Sequence, residues 1–439
     1  MPKPGASDTH KRTTPSDAPR HGGSNLATTP ADDLASALAG APKGSQHQIA
    51  GLFAGIGGLE RGLHRAGHRT TLLCETDPGA TAVLKARFPD VPHHDDVTTL
   101  DCLPKRTTLV VAGFPCQDLS QAGQTAGIAG LRSGLVGEVF RLVQKHRTPW
   151  LLLENVPFML QLNRGRAMDH IAGALETLGY RWAYRVIDSR ALGRPQRRRR
   201  VYLLASLTDD PRCVLFADEA GPVPESKLNE SQAACGFYWT EGIRGLGWAV
   251  DAIPTLKGGS TVGIPSPPAI LLPTGEVVTP DLRDAERLQG FPSDWTKPAE
   301  TVARSGRRWR LVGNAVSVPA AEWIGHRMAE PGPVLDFPVA LIRGSPWPTA
   351  AWNVGNGRVA VEASEWPVRR PYQSLSDFLK HPPRPLSFKA TRGFLERTGR
   401  SCLIFPPGFL SALRAHELRM AKSNEPVKAQ KPPSVQATL

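Results

Sequence analysis

The chain has 439 residues, enough for two or three domains, and its 40% hydrophobic and 21% charged residues are ordinary for a globular protein. It contains no run of about 18 or more apolar residues and begins without the apolar core of an export signal, so we expect neither a membrane span nor secretion. The formal net charge of +13 indicates a polyanionic partner, most often nucleic acid.

Apolar strands alternate with helices over the first half of the chain. Residues 1–46 come before them and are rich in Ser, Thr, Pro, Gly and Ala, a composition that predicts a disordered arm. Strands are predicted at 48–54, 70–75, 109–114, 150–154, 181–187 and 200–205, and helices at 59–66, 78–88, 135–145 and 171–178. This alternation predicts an α/β fold with a doubly wound, mostly parallel sheet that binds ligands at the carboxyl ends of its strands.

The alternation stops near residue 207, and composition divides the rest of the chain. Residues 47–206 would form the catalytic and cofactor-binding domain, residues 207–278 are irregular, and a return to the first domain spans 279–330, with helices at 282–288 and 320–328. A basic C-terminal extension at 331–420 and a disordered tail at 421–439 would follow.

The C-terminal segment 331–439 carries much of the positive charge. It contains 15 Lys or Arg and 7 Asp or Glu, a surplus of 8 positive charges. Trp352, Trp366 and Phe405 indicate that the segment is folded. We predict that it strengthens nucleic-acid binding, because phosphate contacts add affinity without reading sequence; an appendage that only stabilises the fold is the alternative.

A glycine-rich turn, Phe53-Ala54-Gly55-Ile56-Gly57-Gly58, joins the first strand to the first helix. Glycines let a ligand approach the backbone, and the helix N-terminus offers free N–H groups. Glu75 and Asp77 follow the second strand, and Asp96 ends a third segment; acids there accept hydrogen bonds from ribose hydroxyls. Separately, these features also fit a tight strand–helix connection and helix-terminal acids. Together they predict a nucleoside ligand.

A thiol follows the strand at 109–114. Cys116 comes directly after Pro115 and before a polar loop, the placement of a nucleophile, although a lone cysteine is more often a buried, inert side chain. The six cysteines, at 74, 102, 116, 213, 235 and 402, form no C-x-x-C pair, so neither a metal site nor a disulfide framework is predicted. A reducing cytoplasm is the expected compartment.

Two further motifs end or open strands of the same sheet. Glu154-Asn155-Val156 ends the strand at 150–154, which would direct its carboxylate into the ligand cleft. The run Gln196-Arg197-Arg198-Arg199-Arg200 opens the last strand, where alternate residues share one face. A solvated basic run is the usual alternative for such a cluster.

The motifs and their order resemble the DNA cytosine-5 methyltransferase family over about residues 48–328. The matching stretches are "FAGIGG", "GFPCQDLS", "ENV", "QRRRR", "ERLQGFP" and "GNAV". One departure is Gly51, where the family often has an acid. The resemblance implies a Rossmann-like methyltransferase fold, S-adenosylmethionine as the methyl donor, and 207–278 as the region that recognises the DNA target.

The resemblance also assigns roles to individual residues. Cys116 would be the nucleophile, Glu154 would contact the target base and Arg198 would support the reacting site. The residues implied for S-adenosylmethionine are Phe53, Ala54, Gly55, Ile56, Gly57, Gly58, Glu75, Asp96, Val97, Pro115, Asn314, Ala315 and Val316. Those expected to contact DNA are Gln117, Ser120, Gln196, Arg200, Thr255, Leu256 and Gly258.

The implied partner is duplex DNA, and the chain would act as a monomer in the nucleoid of the cytoplasm. The resemblance is also compatible with a cognate restriction endonuclease that acts separately on the same DNA sequence. Two other functions share the motifs: methylation of cytosine in RNA, and DNA binding by a catalytically silent regulator. The long region 207–278 and the added basic charge favour DNA over RNA. The presence of Cys116, Glu154 and Arg198 favours an enzyme over a silent binder.

Overall fold

The structure is a computed structural model that describes residues 46–114, 134–222, 233–242, 247–259, 267–342, 344 and 346–423. Nearly all of the arm predicted at 1–46, and most of the tail predicted at 421–439, lie outside the described residues. Among the described helices, none has both the length and the apolar character needed to cross a bilayer.

The first half of the described chain alternates strands and helices, as its sequence predicts. The strands and α-helices are β1 (Gln48–Leu52), α1 (Gly58–Arg65), β2 (Arg69–Cys74), α2 (Pro78–Arg87), β3 (His93–His94), β4 (Leu109–Ala112), α3 (Leu135–His146), β5 (Trp150–Asn155), α4 (Arg166–Thr177), β6 (Arg181–Asp188), β7 (Gln196–Arg197) and β8 (Arg199–Ser206). Short 3-10 helices lie at Val97–Thr99, Pro157–Leu160 and Ser189–Leu192. Helix α4 begins five residues before the predicted 171, directly after Gly165, which has a left-handed backbone at φ 84°.

The second half contains short strands and several helices. They are α5 (Arg212–Leu215), β9 (Cys235–Phe237), β10 (Trp248–Val250), β11 (Ile253–Pro254), β12 (Ala269–Leu271), β13 (Val277–Thr279), α6 (Leu282–Leu288), a 3-10 helix (Lys297–Thr301), α7 (Arg307–Asn314), α8 (Val318–Ala329), β14 (Val339–Leu341), β15 (Ala350–Asn353), β16 (Val359–Val361), α9 (Leu375–Phe378), β17 (Arg384–Pro385), α10 (Phe388–Thr398) and α11 (Phe409–Ser423).

A ten-stranded sheet forms the centre of the protein, in the order β3-β2-β1-β4-β5-β8-β6-β15-β16-β14. The five strands from β3 to β5 are parallel, and β8 runs antiparallel between β5 and β6. The residues of β4 and β5 are buried throughout, which is why these strands read as continuous apolar runs. The strand order reverses between β1 and β4, and ligands bind at such a switch point.

Helices α1 and α8 pack closely beside this switch point. A Cβ atom built on Gly62 would lie 2.5 Å from the carbonyl oxygen of Val318, and one built on Gly58 would lie 2.7 Å from that of Val316. Glycine is therefore required at both positions. This contact brings the Asn314–Val316 stretch, distant in sequence, against the glycine-rich turn.

The C-terminal segment adds strands to the central sheet. Strand β15 pairs antiparallel with β6, and β16 and β14 continue the sheet beyond it. Trp352 of β15 is 8% exposed, and its ring packs edge-on against Phe216 at a centroid distance of 5.0 Å. Part of the segment expected to act as a basic DNA-binding extension therefore belongs to the core of the sheet.

A smaller antiparallel sheet has the order β10-β9-β12-β13-β17. Its first four strands come from the region predicted to be irregular, and β17 comes from the C-terminal segment. Helices α10 and α11 cover it, where Phe394, Phe409 and Leu413 pack with Phe237. The sequence did not predict these strands because segments of three residues are too short to show an alternating pattern.

Position 51 is a glycine in this chain, where the family often has an acid. The side chain of Glu60 fills the space beside Gly51. A Cβ atom built on Gly51 would lie only 2.1 Å from Glu60 Oε1. Glu60 is 1% exposed, and neither of its carboxylate oxygens forms a hydrogen bond with another described residue. Burial, with a smaller contribution from the charge of Glu75, raises the pKa of Glu60 to about 8. Helix α1 thus supplies a buried carboxyl group where the strand has none.

We predict that Trp352→Ala destabilises the protein by about 3–5 kcal/mol, because truncating a buried Trp removes apolar burial and leaves a cavity. Urea unfolding of the full chain measures the loss. Ile404→Ala, at a side chain that is 86% exposed, serves as the control and should change stability by less than about 0.5 kcal/mol. A comparably small effect for Trp352→Ala would show that the packing of the C-terminal strands contributes little to the stability of the fold.

We predict that Glu60→Gln changes how stability depends on pH. The carboxyl ionises at its ordinary pKa of 4.5 in the unfolded chain but keeps its proton up to about pH 8 in the folded one. Between these values unfolding releases a proton, so the wild type loses up to about 1.4 kcal/mol of stability per pH unit as pH rises. The stability of Glu60→Gln relative to wild type should therefore rise from pH 5 to pH 8 and level off above it.

Unfolding free energies measured at several pH values check this prediction. Glu362→Gln removes an exposed carboxyl group and should give a stability difference that is nearly constant over the same range. A constant difference for Glu60→Gln as well would mean that the Glu60 carboxyl is ionised in the folded protein.

Candidate active site and cofactor cleft

A cleft of about 490 Å³ lies at the switch point between β1 and β4. The predicted cofactor residues that line it are Phe53, Gly55, Ile56, Glu75, Asp96, Val97, Asn314 and Ala315. Ala54, Gly57, Gly58 and Val316 support the same region without lining it; for example, the Ala54 N–H donates to the Cys74 carbonyl at 3.1 Å. Pro115 lies outside the described residues. The structure therefore gathers four separate parts of the sequence, at 53–58, 75, 96–97 and 314–316, around one cavity.

Glu75 holds the glycine-rich turn in shape. Its Oε2 accepts a hydrogen bond from the Gly55 N–H at 2.7 Å, and its Oε1 accepts one from the Asp77 N–H at 2.8 Å. Each carboxylate oxygen can accept a second hydrogen bond from a ligand. The side chain is thus preorganised at the wall of the cleft, between the turn after β1 and the start of α2.

The opposite wall contains residues that sequence analysis did not single out. Arg307 and Arg310 of α7 line the cleft together with Asn314, and Arg307 pairs with Asp77 at 3.1 Å. Burial opposes ionisation of Asp77, but hydrogen bonds from Ala80 and Arg307 bring its pKa below the ordinary value. The spacing of 307, 310 and 314 places the three side chains on one helix face. That spacing is the sequence feature from which Arg307 and Arg310 could have been predicted to line the cleft with Asn314.

The residues around this cleft fit a nucleoside cofactor. Asp96 caps the 3-10 helix after β3 through its Oδ1, which accepts from the Thr98 N–H at 2.9 Å. Glu75 and Asp96 present carboxylate oxygens to hydroxyl or amino groups, while Ile56, Val97 and Leu311 give the cavity apolar surface. The cleft thus combines the carboxylate acceptors and apolar walls that an adenosine group requires.

Glu154 lies at the carboxyl end of β5, next to the cleft. Its side chain is buried, and its Oε1 lies 3.1 Å from Arg200 Nε without hydrogen-bond geometry, so that oxygen has no hydrogen-bond partner among the described residues. Its Oε2 is 3.6 Å from a Cβ built on Gly113, a residue that also lines the cleft. Burial raises the pKa of Glu154, and the charges of Arg200 and Arg198 oppose that rise without cancelling it.

Arg198 is a buried cation held by backbone carbonyl groups. Its Nη1 donates to Leu256 O at 3.0 Å, and its Nη2 donates to Ala315 O at 2.6 Å. Both nitrogens also approach Gly313 O at 3.3 Å. Burial lowers the pKa of Arg198 to about 9, a shift that Arg200 reinforces and Glu154 opposes, so the side chain is cationic at neutral pH.

Several residues expected to contact DNA lie inside the protein. Gln196 is fully buried: its amide nitrogen donates to Leu288 O at 3.2 Å, and its amide oxygen accepts from the Leu256 N–H at 3.0 Å. Leu256 is 2% exposed, and Arg200 is buried beside Glu154. The Gln196 amide joins β7 to α6 and to the loop after β11, whereas Arg200 donates to Arg199 O at 2.7 Å and lies beside Glu154. In this conformation all three side chains are buried rather than presented to DNA.

The remaining DNA-contact residues divide into two groups. Thr255 and Gly258 are partly exposed; Thr255 Oγ1 donates to Arg197 O at 2.7 Å, and a Cβ built on Gly258 would lie 2.2 Å from Asn314 Oδ1. This places the loop after β11 directly against the cofactor wall. Gln117 and Ser120, like the expected nucleophile Cys116, lie outside the described residues.

Known proteins resemble this chain in sequence over much of its length. A family model described as C-5 cytosine-specific DNA methylase matches residues 47–236. Type II methyltransferase M2.BsuMI of Bacillus subtilis (strain 168) is 50% identical over 365 residues, which cover 80% of this chain and 93% of that protein. Type II methyltransferase M1.ScrFI of Lactococcus lactis subsp. cremoris is 30% identical over 322 residues, covering 66% of this chain and 79% of that protein.

The first of these relatives aligns over almost its full length. The chain belongs to the family of C-5 cytosine-specific DNA methylases, which transfer a methyl group from S-adenosylmethionine to carbon 5 of cytosine.

Proposed function

We propose that this enzyme methylates cytosine within one specific sequence of duplex DNA, with the target base flipped out of the helix and held between Cys116 and Glu154. The observation that carries the proposal is the position of Glu154. Its buried carboxyl group lies at the carboxyl end of β5, with Oε2 beside Gly113 at the edge of the cofactor cleft and with Oε1 unbonded by any described hydrogen-bond donor. Base flipping is needed because an enzyme cannot reach the ring atoms of a paired base inside the stacked duplex.

The reaction needs carbon 5 of cytosine to become nucleophilic. The thiolate of Cys116 adds to carbon 6, which breaks the aromaticity of the ring and places electron density on carbon 5. S-adenosylmethionine supplies an electrophilic methyl group when bound. Once carbon 5 has taken that group, loss of its proton restores the double bond and expels the thiolate.

Glu154 would stabilise the negative charge that develops on the ring. Because burial raises its pKa, the carboxyl group is disposed to carry a proton and donate it to ring nitrogen 3. Arg200, 3.1 Å away, would limit that rise and orient the carboxyl group. Arg198 acts as a positioning residue, because its hydrogen bonds end on backbone carbonyls around the site.

The cofactor would bind in the cleft at the switch point. Glu75 and Asp96 would accept hydrogen bonds from the ribose hydroxyls and the adenine amino group, and Phe53, Ile56 and Val97 would contact the apolar parts. Asn314 and Ala315 would close the opposite wall together with Arg307 and Arg310, which we add to the proposed site.

The recognition of DNA would involve more than residues 207–278. Thr255 and Gly258 remain proposed contacts, with Gln117 and Ser120 near the nucleophile in sequence. Gln196 and Leu256 are proposed instead to position the loop that carries Thr255, and Arg200 to orient Glu154. The catalytic domain would comprise 47–206 and 279–330. Because β17, α10 and α11 complete the small sheet, we propose that part of the segment 331–420 belongs to the recognition unit.

The partners follow from the substrate and from the relatives. Because those relatives are named Type II methyltransferases, we propose that the methyl mark protects DNA from a restriction endonuclease that acts separately. We further propose a monomer that works on the nucleoid in the cytoplasm. Sedimentation of the purified chain tests the monomer, and the identity of the neighbouring genes tests the endonuclease.

Glu75→Ala should weaken binding of S-adenosylmethionine by about 10- to 150-fold, the effect of losing a charged hydrogen bond. Calorimetric titration measures the affinity, and circular dichroism checks that the variant is folded. Asp90→Ala removes an exposed acid outside the cleft and should bind the cofactor as the wild type does. An unchanged affinity in Glu75→Ala would remove this residue from the site.

Cys116 should form a trapped adduct with a duplex that carries 5-fluorocytosine at the target position. Fluorine at carbon 5 cannot leave as a proton does, so the thiolate cannot be expelled after methyl transfer. The adduct should survive denaturing electrophoresis, require S-adenosylmethionine and be absent from Cys116→Ala, while Cys102→Ala, at an exposed cysteine, should still form it. Persistence of the adduct in Cys116→Ala would assign the nucleophile to another residue.

A further inference from the structure

A second cleft, of about 450 Å³, is lined by basic side chains. They are Arg65 at the end of α1, Arg194 in the turn before β7, Arg287 of α6, and Lys380 and His381 of the C-terminal segment, with Ser293 beside them. We call it the basic cleft. None of the described residues that line it is acidic, and none of them lines the cofactor cleft. Four distant parts of the chain thus place positive charge around one cavity.

Nearby carboxylates neutralise only part of this charge. Arg65 pairs with Glu322 at 3.2 Å, and Arg287 pairs with Asp284 at 2.5 Å. Arg194 and Lys380 form no ion pair with any described carboxylate, and the Nε of Arg194 is buried without a hydrogen-bond partner there. Within the described part of the chain, Arg194 and Lys380 therefore bring positive charge to the cleft without a paired carboxylate.

Arg194 is the most constrained of these groups. Burial lowers its pKa to about 10, and the charges of Arg65, Arg287 and Arg370 push it in the same direction, against the opposing effect of Glu322. Its guanidinium group lies 5.9 Å from the centre of the Phe378 ring, which Arg287 also approaches at 4.4 Å. The two cations thus approach the same ring, and like charges that share a partly buried site repel one another.

We infer that the basic cleft binds phosphate groups, and that a bound oligophosphate or DNA-backbone phosphate links the catalytic core to the C-terminal segment at 380–381. Guanidinium groups donate paired hydrogen bonds to tetrahedral oxyanions, and the Lys380 ammonium adds a further charged donor. The volume accommodates more than one phosphate group. Binding would offset the mutual repulsion of Arg194 and its neighbours and stabilise the junction.

Calorimetric titration of the full chain with pyrophosphate tests this inference, at constant ionic strength maintained with chloride. We expect saturable binding and a higher melting temperature in pyrophosphate than in chloride. Arg194→Met and Lys380→Met should each weaken binding by at least about tenfold, since each removes a charged donor. Arg106→Met removes the same charge from an exposed turn and should bind like the wild type.

The stability of Arg194→Met separates this role from a general folding defect. Without phosphate, the variant should melt at or above the wild-type temperature, because a repulsive charge has been removed, and pyrophosphate should no longer raise that temperature. Lys380 is exposed, so Lys380→Met provides a second test that does not depend on the buried position. Absence of saturable binding, or unchanged binding in both variants, would overturn the inference.

Two further measurements identify the source of the phosphate. If the DNA backbone occupies the cleft, pyrophosphate should compete with duplex DNA, and Arg194→Met should reduce by about one the slope of log affinity against log salt. If a free oligophosphate occupies it, DNA and pyrophosphate should bind together and the slope should not change. If the enzyme methylates DNA but does not bind pyrophosphate, the inference that the basic cleft binds phosphate is wrong and the proposed function is unaffected.

Discussion

The hydrogen bonds of Arg198 connect the strands beside Glu154 to two loops that border the candidate site. This buried cation lies between β7 and β8, and it binds the carbonyls of Leu256 in the loop after β11 and of Gly313 and Ala315 after α7. The strand that faces Glu154, the loop proposed to meet DNA and the wall of the cofactor cleft are thereby held in one arrangement. Removing the guanidinium group would leave three carbonyls without their donor in an interior that excludes water, which is costly.

The cofactor cleft depends on a second constraint, the close approach of two helices. Gly58 and Gly62 allow α1 to lie against Val316 and Val318, so the segment after α7 reaches the turn after β1. Glu75 then fixes that turn by accepting hydrogen bonds from Gly55 and Asp77. The cleft is therefore formed by backbone positions as much as by side chains, and glycine is required at 58 and 62 because the neighbouring backbone leaves no room for a Cβ atom.

The C-terminal segment adds strands to the two larger sheets among the described residues. Strand β15 extends the central sheet next to β6, while β17 completes the small sheet that α10 and α11 cover. Its positive charge is consequently presented from folded structure, and Lys380 and His381 contribute part of it to the basic cleft. A segment integrated in this way cannot be removed to isolate its effect on DNA binding without exposing the edge of β6 and the apolar face of the small sheet.

The amino-acid sequence by itself determined the parallel core and the order of its motifs. Strands such as β4 and β5 are buried on both faces, so their continuous apolar runs could be read directly, and motifs that end such strands must meet at one edge of the sheet. Tertiary structure alone decided the burial of Gln196, the location of the Glu60 carboxyl above Gly51, and the pairing of β15 and β17 with distant strands. Those features arise from contacts between residues far apart in the chain, and short strands or single polar side chains leave no periodic pattern from which such contacts can be inferred.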